Sequence, residues 1–307
     1  MRLSPCLVFL LCLGACKPTE TVHPKAIVGA ILLDGQGGPP VSDSAVVLAG
    51  GRIQAAGPRS SVEIPQGSEI VDGAAKYLLP ATIDVCPLAA PPGMVRATTP
   101  EDARAQVAKL AGGRSKVIHM ASLDAAVAQA GMEAARTASL PVIAHIATEA
   151  EAETMLTAGA AGFVGMIHDR DVDPALAARL RDLHIFFAPA LNRLVPSPGN
   201  VVQTKAMETA KRNTLRLFQA GVPIAVASAG GKYLDEAELL VEAGIPPLDV
   251  VVAGTRNGAA ALGKLADEGT LQPGKLADLM LVSGNPGEDI RNLKHVSIRI
   301  ISSVMKR

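Results

Sequence analysis

Short apolar segments alternate with helical segments through the middle of the sequence, and this alternation restricts the fold more than any other feature. Six segments are predicted strands: 78–85, 117–120, 141–146, 162–167, 185–189 and 223–227. Helix-start signals stand between them, such as Thr99 before Pro100 and Thr148 three residues before Glu151. Repeated strand–helix units with continuously apolar strands predict a parallel sheet that helices cover.

Both ends of the sequence carry short predicted strands without helices between them. The first part, 26–77, contains four such strands separated by turns rich in glycine and proline, and the last part, 270–307, contains two. We expect the two parts to pack together as a small β-sandwich. This sandwich lies beside the α/β body that residues 78–269 form.

The first fifteen residues have the features of an export signal. Arg2 is their only charge, and the apolar run 6–13 is too short to span a bilayer. The run ends at Leu13-Gly14-Ala15-Cys16, which resembles the lipobox of bacterial lipoproteins. The resemblance implies that residues 1–15 are a lipoprotein signal peptide. The alternative is an ordinary secretory signal with a chance cysteine.

The lipobox resemblance also implies a location. A lipid on Cys16 would anchor the protein to a membrane of the bacterial cell envelope, facing the periplasm. Residues 16–25 are polar, contain two prolines and are a predicted tether. Lys17 stands where some lipoproteins carry aspartate, and this resemblance to known sorting patterns favours the outer membrane.

The composition excludes several classes of protein. Lys and Arg together number 29, as do Asp and Glu, so no global positive charge suggests nucleic acid. Trp is absent and aromatic residues make up 2% of the chain, which argues against surfaces that stack on bases. The hydrophobic fraction of 49% excludes a disordered chain. We therefore expect a folded protein that does not bind nucleic acid.

Two runs near the C-terminus indicate a family. The runs AGTRNGAAALG (253–263) and GTLQPGKLADL (269–279) closely resemble the end of metal-dependent amidohydrolases of the imidazolonepropionase-like branch. The run LPATID (79–84) resembles the entry of that family into its first barrel strand. The resemblance implies a TIM-like barrel between two halves of a β-sandwich. It also implies metal-assisted hydrolysis of non-peptide C–N bonds, with ligands at the carboxyl ends of barrel strands.

This chain departs from the ligand set that the resemblance implies. The family expects two histidines in the first strand motif, a lysine, two further histidines and a catalytic aspartate. The residues found at those six positions are Cys86, Leu88, His119, His145, Gly165 and Ala229. Only His145 matches the expected residue type, and the family positions at Leu88, Gly165 and Ala229 have lost their function.

The barrel is also predicted to be truncated. Only thirty residues separate Cys86 from Val117, where the family fits two additional strand–helix units. About six units remain, and a parallel sheet of six strands can fail to close, which would expose an edge. Such an edge would allow pairing with a second copy of the chain or with another protein.

Three functions remain open from the sequence. The first is a pseudoenzyme or binding protein that needs no cofactor. The second is a mononuclear zinc hydrolase that uses Cys86, His119 and His145, with Glu149 or Asp169 as base, because cysteine and two histidines are an accepted zinc ligand set. The third is a non-catalytic subunit of an assembly. Each candidate ligand also has a structural interpretation: a small core cysteine and two hydrogen-bonded histidines at the rim.

Overall fold

The computed structural model describes residues 23–113, 116–121, 123–301 and 304–306. The predicted signal segment 1–15 and the predicted lipidation site Cys16 lie outside the described residues. Within these ranges, no helix combines the length and the apolar character needed to cross a membrane.

Twelve strands and eight α-helices form the described part of the chain. The strands are β1 (Lys25–Leu32), β2 (Val41–Ala49), β3 (Arg52–Pro58), β4 (Glu69–Asp72), β5 (Lys76–Pro80), β6 (Ile118–Ala121), β7 (Val142–Ile146), β8 (Gly162–Gly165), β9 (Phe186–Ala188), β10 (Leu279–Ser283), β11 (Val296–Ile301) and β12 (Val304–Lys306). The helices are α1 (Pro100–Ala111), α2 (Ala125–Thr137), α3 (Glu149–Ala158), α4 (Pro174–Asp182), α5 (Val201–Gln219), α6 (Tyr233–Glu242), α7 (Pro247–Val252) and α8 (Gly258–Ala261), with a π-helical turn (Ala253–Asn257) joining the last two.

The two ends of the chain meet in one mixed sheet of eight strands. Its order is β12-β11-β10-β5-β1-β2-β3, and β4 pairs with β1. Strand β5 connects the two parts because it pairs parallel with β1 and antiparallel with β10. Buried side chains from both parts, including Ile27, Val46, Leu78 and Leu279, form one hydrophobic cluster. The chain ends therefore meet, as the sequence predicted, in one continuous mixed sheet, and their arrangement as a β-sandwich stays a prediction.

Strand β5 begins earlier and ends earlier than the sequence indicated. Residues 78–80 were predicted to open the first barrel strand, but Leu78 pairs with Leu281 and Pro80 pairs with Leu279 in the mixed sheet. The chain then turns into the α/β body, where the Val85 N–H donates to the Val226 carbonyl at 3.0 Å. One apolar run is thus divided between two sheets.

A parallel sheet of four strands, β6-β7-β8-β9, lies at the centre of the α/β body. Both of its edges are extended by shorter segments. On one side, the bridge from Phe187 to Ile224 adds segment 223–227, to which segment 83–86 is hydrogen-bonded. On the other side, the bridge from Met120 to Val95 adds segment 94–96. We call these seven neighbouring segments the barrel wall.

Within the described residues, the barrel wall does not close. No backbone hydrogen bond among the described residues joins segment 83–86 to segment 94–96. This opening lies where the sequence lacks two strand–helix units. The predicted α/β fold with a truncated TIM-like barrel is confirmed. Of the six predicted strands, four are full strands, 223–227 is joined by a single bridge, and 78–85 is divided between β5 and segment 83–86.

Helices α1 and α3 start where the sequence predicted them because their capping residues are in place. The Thr99 hydroxyl accepts the Asp102 N–H before α1. Before α3, Thr148 and Glu151 form the reciprocal pair of hydrogen bonds of a capping box. The Glu151 carboxylate also accepts the Ala147 N–H at 2.6 Å, so this loop at the carboxyl end of β7 is firmly held.

Successive residues of the wall strands face opposite layers. Ile118 and Met120 of β6 belong to the core shared with the surrounding helices. Val117, beside them in sequence, packs with Ile143 and Val164 in a smaller cluster on the inner face of the wall. The same two-residue period places the side chains of His119 and His145 on that inner face. The strand pattern therefore directs both histidines to the interior of the wall.

Candidate metal centre

Cys86 is fixed at the carboxyl end of the first wall segment by backbone hydrogen bonds. Its N–H donates to Asp84 Oδ1 at 3.0 Å, and the same oxygen accepts the Ser228 N–H at 3.1 Å. The Cys86 carbonyl accepts the Ala229 N–H at 2.7 Å. Asp84 therefore ties two neighbouring segments together and sets the direction of the fully buried Cys86 side chain.

His119 and His145 come from the neighbouring strands β6 and β7. The parallel register pairs Ala121 with His145, so the two histidines are offset by two residues and share one face. His119 Nδ1 lies 3.0 Å from His145 Nε2, and the ring planes are inclined by 59°. Without a metal, one ring can donate this hydrogen bond to the other, as the structural interpretation of rim histidines expects.

The structure brings all three predicted ligands together. One ligand atom each from Cys86, His119 and His145 lies within 4.8 Å of the other two. Donors on one tetrahedral zinc ion lie about 3.4 to 3.6 Å apart, given zinc–nitrogen bonds of about 2.1 Å and zinc–sulfur bonds of about 2.3 Å. The cluster therefore fits a zinc ion after a contraction of at most about 1.4 Å in any donor separation. We call these three residues the triad.

The protonation states of the triad follow from burial. Burial, aided by the nearby charges of His119, Arg193 and Arg96, lowers the pKa of His145 to about 3, and burial also lowers the pKa of His119. Both rings are therefore neutral at pH 7 and can bind a metal without losing a proton. Burial and the Asp84 carboxylate raise the pKa of the Cys86 thiol to about 11. The thiol proton must therefore leave when a metal binds.

Leu88, Gly165 and Ala229, which stand where the resemblance implied other ligands, contribute no donor to the triad. Leu88 is 49% exposed, and its carbonyl accepts the Cys86 thiol at 3.2 Å. A Cβ on Gly165, whose φ is 122°, would lie 2.0 Å from the Ile146 carbonyl oxygen, so no histidine fits without a backbone shift. Ala229 is buried, with a φ of 44°. The expected aspartate has no substitute at that position.

Neither of the predicted bases, Glu149 and Asp169, has its carboxylate in the cavity beside the triad. The Glu149 N–H donates to Asp169 Oδ1, and the Glu149 carboxylate accepts the Asp173 N–H. The two carboxylates thus bind backbone groups around the starts of α3 and α4, and neither lines the cavity beside His145. The expectation that Glu149 or Asp169 acts from a loop therefore lacks support in the geometry.

A cavity of about 360 Å³ opens beside His145 at the carboxyl ends of the strands. Its wall includes Arg96, Glu151, His168 and Arg193. A larger cavity of about 580 Å³ lies at the other ends of the strands, where Pro141, Ala161 and Pro223 precede them. TIM-barrel enzymes carry their active sites at the carboxyl ends of the barrel strands. The smaller cavity is therefore the candidate substrate site.

Sequence reasoning missed a buried carboxylate next to this region. Glu236 of α6 is fully buried and accepts the N–H groups of Leu191 and Asn192, both at 2.9 Å. Burial raises the pKa of Glu236 to about 8. The available signal was an acidic residue on the apolar stripe of a helix, four residues before the buried Leu240.

Comparisons with known proteins show the family of the chain. The family model described as "Amidohydrolase family" matches residues 81–305. No curated protein matches the sequence.

Solved structures share the fold at low sequence identity. A candidate prolidase from Bifidobacterium longum is 20% identical, with a TM-score of 0.79 over 93% of this chain and 95% of the other. Molinate hydrolase is 15% identical, with a TM-score of 0.78 over 92% and 94%. The ochratoxinase of A. niger is 15% identical, with a TM-score of 0.80 over 92% and 96%. With its family model matched over most of the sequence, the chain belongs to the amidohydrolase family.

Proposed function

We propose that the chain is a hydrolase that holds one zinc ion with Cys86, His119 and His145 and cleaves a C–N bond of a small molecule. The observation that carries this proposal is the convergence of three metal donors at the carboxyl ends of wall strands, beside a cavity. The amidohydrolase family supports hydrolysis as the reaction class.

The donor set favours a catalytic rather than a structural zinc. Structural zinc sites have four protein ligands, whereas catalytic sites have three and leave one position open. The triad provides three, and His145 also borders the cavity. When bound, zinc would polarise a scissile carbonyl and lower the pKa of a water molecule.

The remaining work at the site falls to residues of the chain. Asp84 orients Cys86 through its backbone N–H. His168 lines the cavity, and histidine is the side chain that most often transfers protons in general acid–base catalysis. The Glu151 carboxylate, in the same cavity wall, already accepts two backbone N–H groups. His168 is therefore the proposed proton acceptor in place of the missing aspartate.

The experiment is a metal analysis joined to a substrate screen. The purified full-length protein is dialysed against trace zinc, and we expect close to one zinc ion per chain. Cys86→Ala should lose it, while His295→Ala, a substitution at an exposed histidine outside the site, should keep it. Zinc-loaded wild type should then hydrolyse a member of an amide and lactam panel. Wild type without zinc, or Cys86→Ala with wild-type zinc content, would contradict the proposal.

A binding protein without catalysis is the second candidate. It is favoured by Ala229, which replaces the family's catalytic aspartate, and by the hydrogen bond that satisfies the His119 and His145 rings without a metal. Zinc binding without hydrolysis of any panel member, even in wild type, would favour this candidate over the first.

A further inference from the structure

We propose that the cavity beside the triad binds an oxyanion group, a carboxylate or phosphoryl group of the ligand, through Arg96 and Arg193. Describing that ligand as the substrate rests on the proposed hydrolase function. Binding of the oxyanion itself does not require zinc.

Arg96 is held at the rim of the cavity by its backbone. Its neighbour Val95 is fully buried on the outer face of the wall. Both the N–H and the carbonyl of Val95 are hydrogen-bonded to the backbone of β6. The Arg96 N–H donates to Gln106 Oε1 at 3.0 Å. Since neighbouring residues of an extended segment point to opposite faces, Arg96 is directed away from the outer layer, and its side chain lines the cavity.

The turn that carries Arg193 is hydrogen-bonded to the buried carboxylate of Glu236. Arg193 lies in the 3-10 turn Leu191–Leu194, whose first two N–H groups donate to Glu236. The Asn192 amide also donates to the Ser228 carbonyl at 2.6 Å. Burying a carboxylate is unfavourable unless it is hydrogen-bonded, and here both bonds go to the turn that presents Arg193. These hydrogen bonds fix the conformation of the turn and therefore the position of the Arg193 backbone.

Neither guanidinium has a partner in the described part of the chain. No ion pair or side-chain hydrogen bond joins the Arg96 or Arg193 guanidinium to any described residue, whereas Arg179, Arg212 and Arg291 are all paired. The carboxylate of Glu151 in the cavity wall is already engaged by backbone N–H groups. Two unpaired guanidiniums at one cavity give it positive charge, and their planar fork matches carboxylate and phosphate oxygens.

Both arginines line the same cavity as His145 of the triad. A ligand whose oxyanion contacts Arg96 and Arg193 would therefore extend toward the triad. This arrangement places the charged end of the ligand at the rim and its remaining bonds near the three donors.

The test measures binding of inorganic phosphate to the full-length protein stripped of metal with chelator. We expect saturable binding that weakens at least about tenfold in the double variant Arg96→Gln/Arg193→Gln, because loss of a charge-assisted hydrogen bond costs about 1.5 kcal/mol or more. Arg104→Gln on α1, where the arginine is exposed, is the matched control and should bind like wild type. Circular dichroism confirms that each variant is folded.

Acetate competition distinguishes the two oxyanion classes. Displacement of phosphate by acetate at constant ionic strength would assign a carboxylate ligand, and failure to displace it would assign a phosphoryl ligand. Absence of saturable phosphate binding, or unchanged affinity in the double variant, would overturn the inference. Because metal is absent, an inactive or zinc-free protein that still binds phosphate through the arginines would contradict only the hydrolase proposal.

Discussion

The two sides of the barrel wall are built differently around Cys86. On the joined side, backbone hydrogen bonds and the Asp84 carboxylate connect segment 83–86 to segment 223–227 and its Ser228 extension. On the open side, no described backbone bond spans the gap to segment 94–96, and His119 and His145 face Cys86 through side chains alone. A metal on the triad would supply the connection that the truncated sheet lacks.

Two of the three positions without donors, Gly165 and Ala229, belong to the continuous part of the wall, whereas the exposed Leu88 follows Cys86 beside the opening. Gly165 ends β8, next to the Ile146 carbonyl, and Ala229 donates its N–H to the Cys86 carbonyl. Cys86, His119 and His145 carry donors near the opening, whereas Gly165 and Ala229 lack them where backbone packs against backbone. The comparison teaches that the candidate donors lie on one side of the wall.

The largest expected effect concerns the open side. Zinc at a thousandfold excess over its dissociation constant should raise the free energy of unfolding by about 4 kcal/mol, since it binds the folded chain. His119→Ala should abolish this increase, because it removes the donor on β6. Thermal unfolding with and without zinc measures both. An equal zinc effect in wild type and variant would show that the triad does not clamp the opening.

A smaller change in the free energy of unfolding is expected from Gly165→Ala on the continuous side of the wall. The added Cβ would lie 2.0 Å from the Ile146 carbonyl oxygen, so the backbone must move, at a cost of about 3 kcal/mol with or without zinc. Gly159→Ala is the matched control, because its φ of 109° is similar but no atom lies within 4 Å of the added Cβ. Denaturant unfolding measures the stability of both variants. Equal losses of stability would show that the strained φ, and not the contact with the Ile146 carbonyl, destabilises Gly165→Ala.

Asp84 provides a test of the joined side. Asp84→Ala leaves the N–H groups of Cys86 and Ser228 without their acceptor and should lower stability by about 2 kcal/mol. Asp84→Asn keeps an acceptor oxygen and should lose about half as much stability. Chemical denaturation of wild type and the two variants measures their order of stability. If Asp84→Ala were as stable as wild type, the carboxylate would not connect the two segments.

The smallest effect is the change in zinc affinity per unit of pH. The Cys86 thiol, with a pKa of about 11, must release its proton, while His119 and His145 are already neutral above pH 7. Affinity should therefore rise about tenfold, or 1.4 kcal/mol, for each pH unit between 7 and 9. Calorimetry in buffers of different ionisation enthalpy should count one released proton. Release of none would mean that the thiol is not a ligand.

Much of the fold could be predicted because it depends on local patterns. The two-residue apolar period, the Thr99 cap and the Thr148 capping box each specify structure within a few residues. The family resemblance then showed which residues end the strands, and this identified Cys86, His119 and His145. Their approach to within 4.8 Å could not be read from the sequence, since it depends on how the wall is arranged.

Other features depend on contacts between distant segments. The division of the apolar run at Pro80 between two sheets follows from pairing with Leu279, about two hundred residues later. The single bridge at Val95 partly replaces the missing units, and no strand pattern marks it. Glu236 was missed because an acidic residue in a helix is ordinarily exposed, and only the Leu191–Leu194 turn explains its burial.

The identity of the metal donors is the central claim, and X-ray absorption of the zinc-loaded full-length protein tests it most directly. The account predicts one sulfur ligand at about 2.3 Å and nitrogen ligands at about 2.1 Å. Cys86→Ser should remove the sulfur scattering. A zinc shell without sulfur in wild type, or a protein that takes up no zinc, would contradict the account.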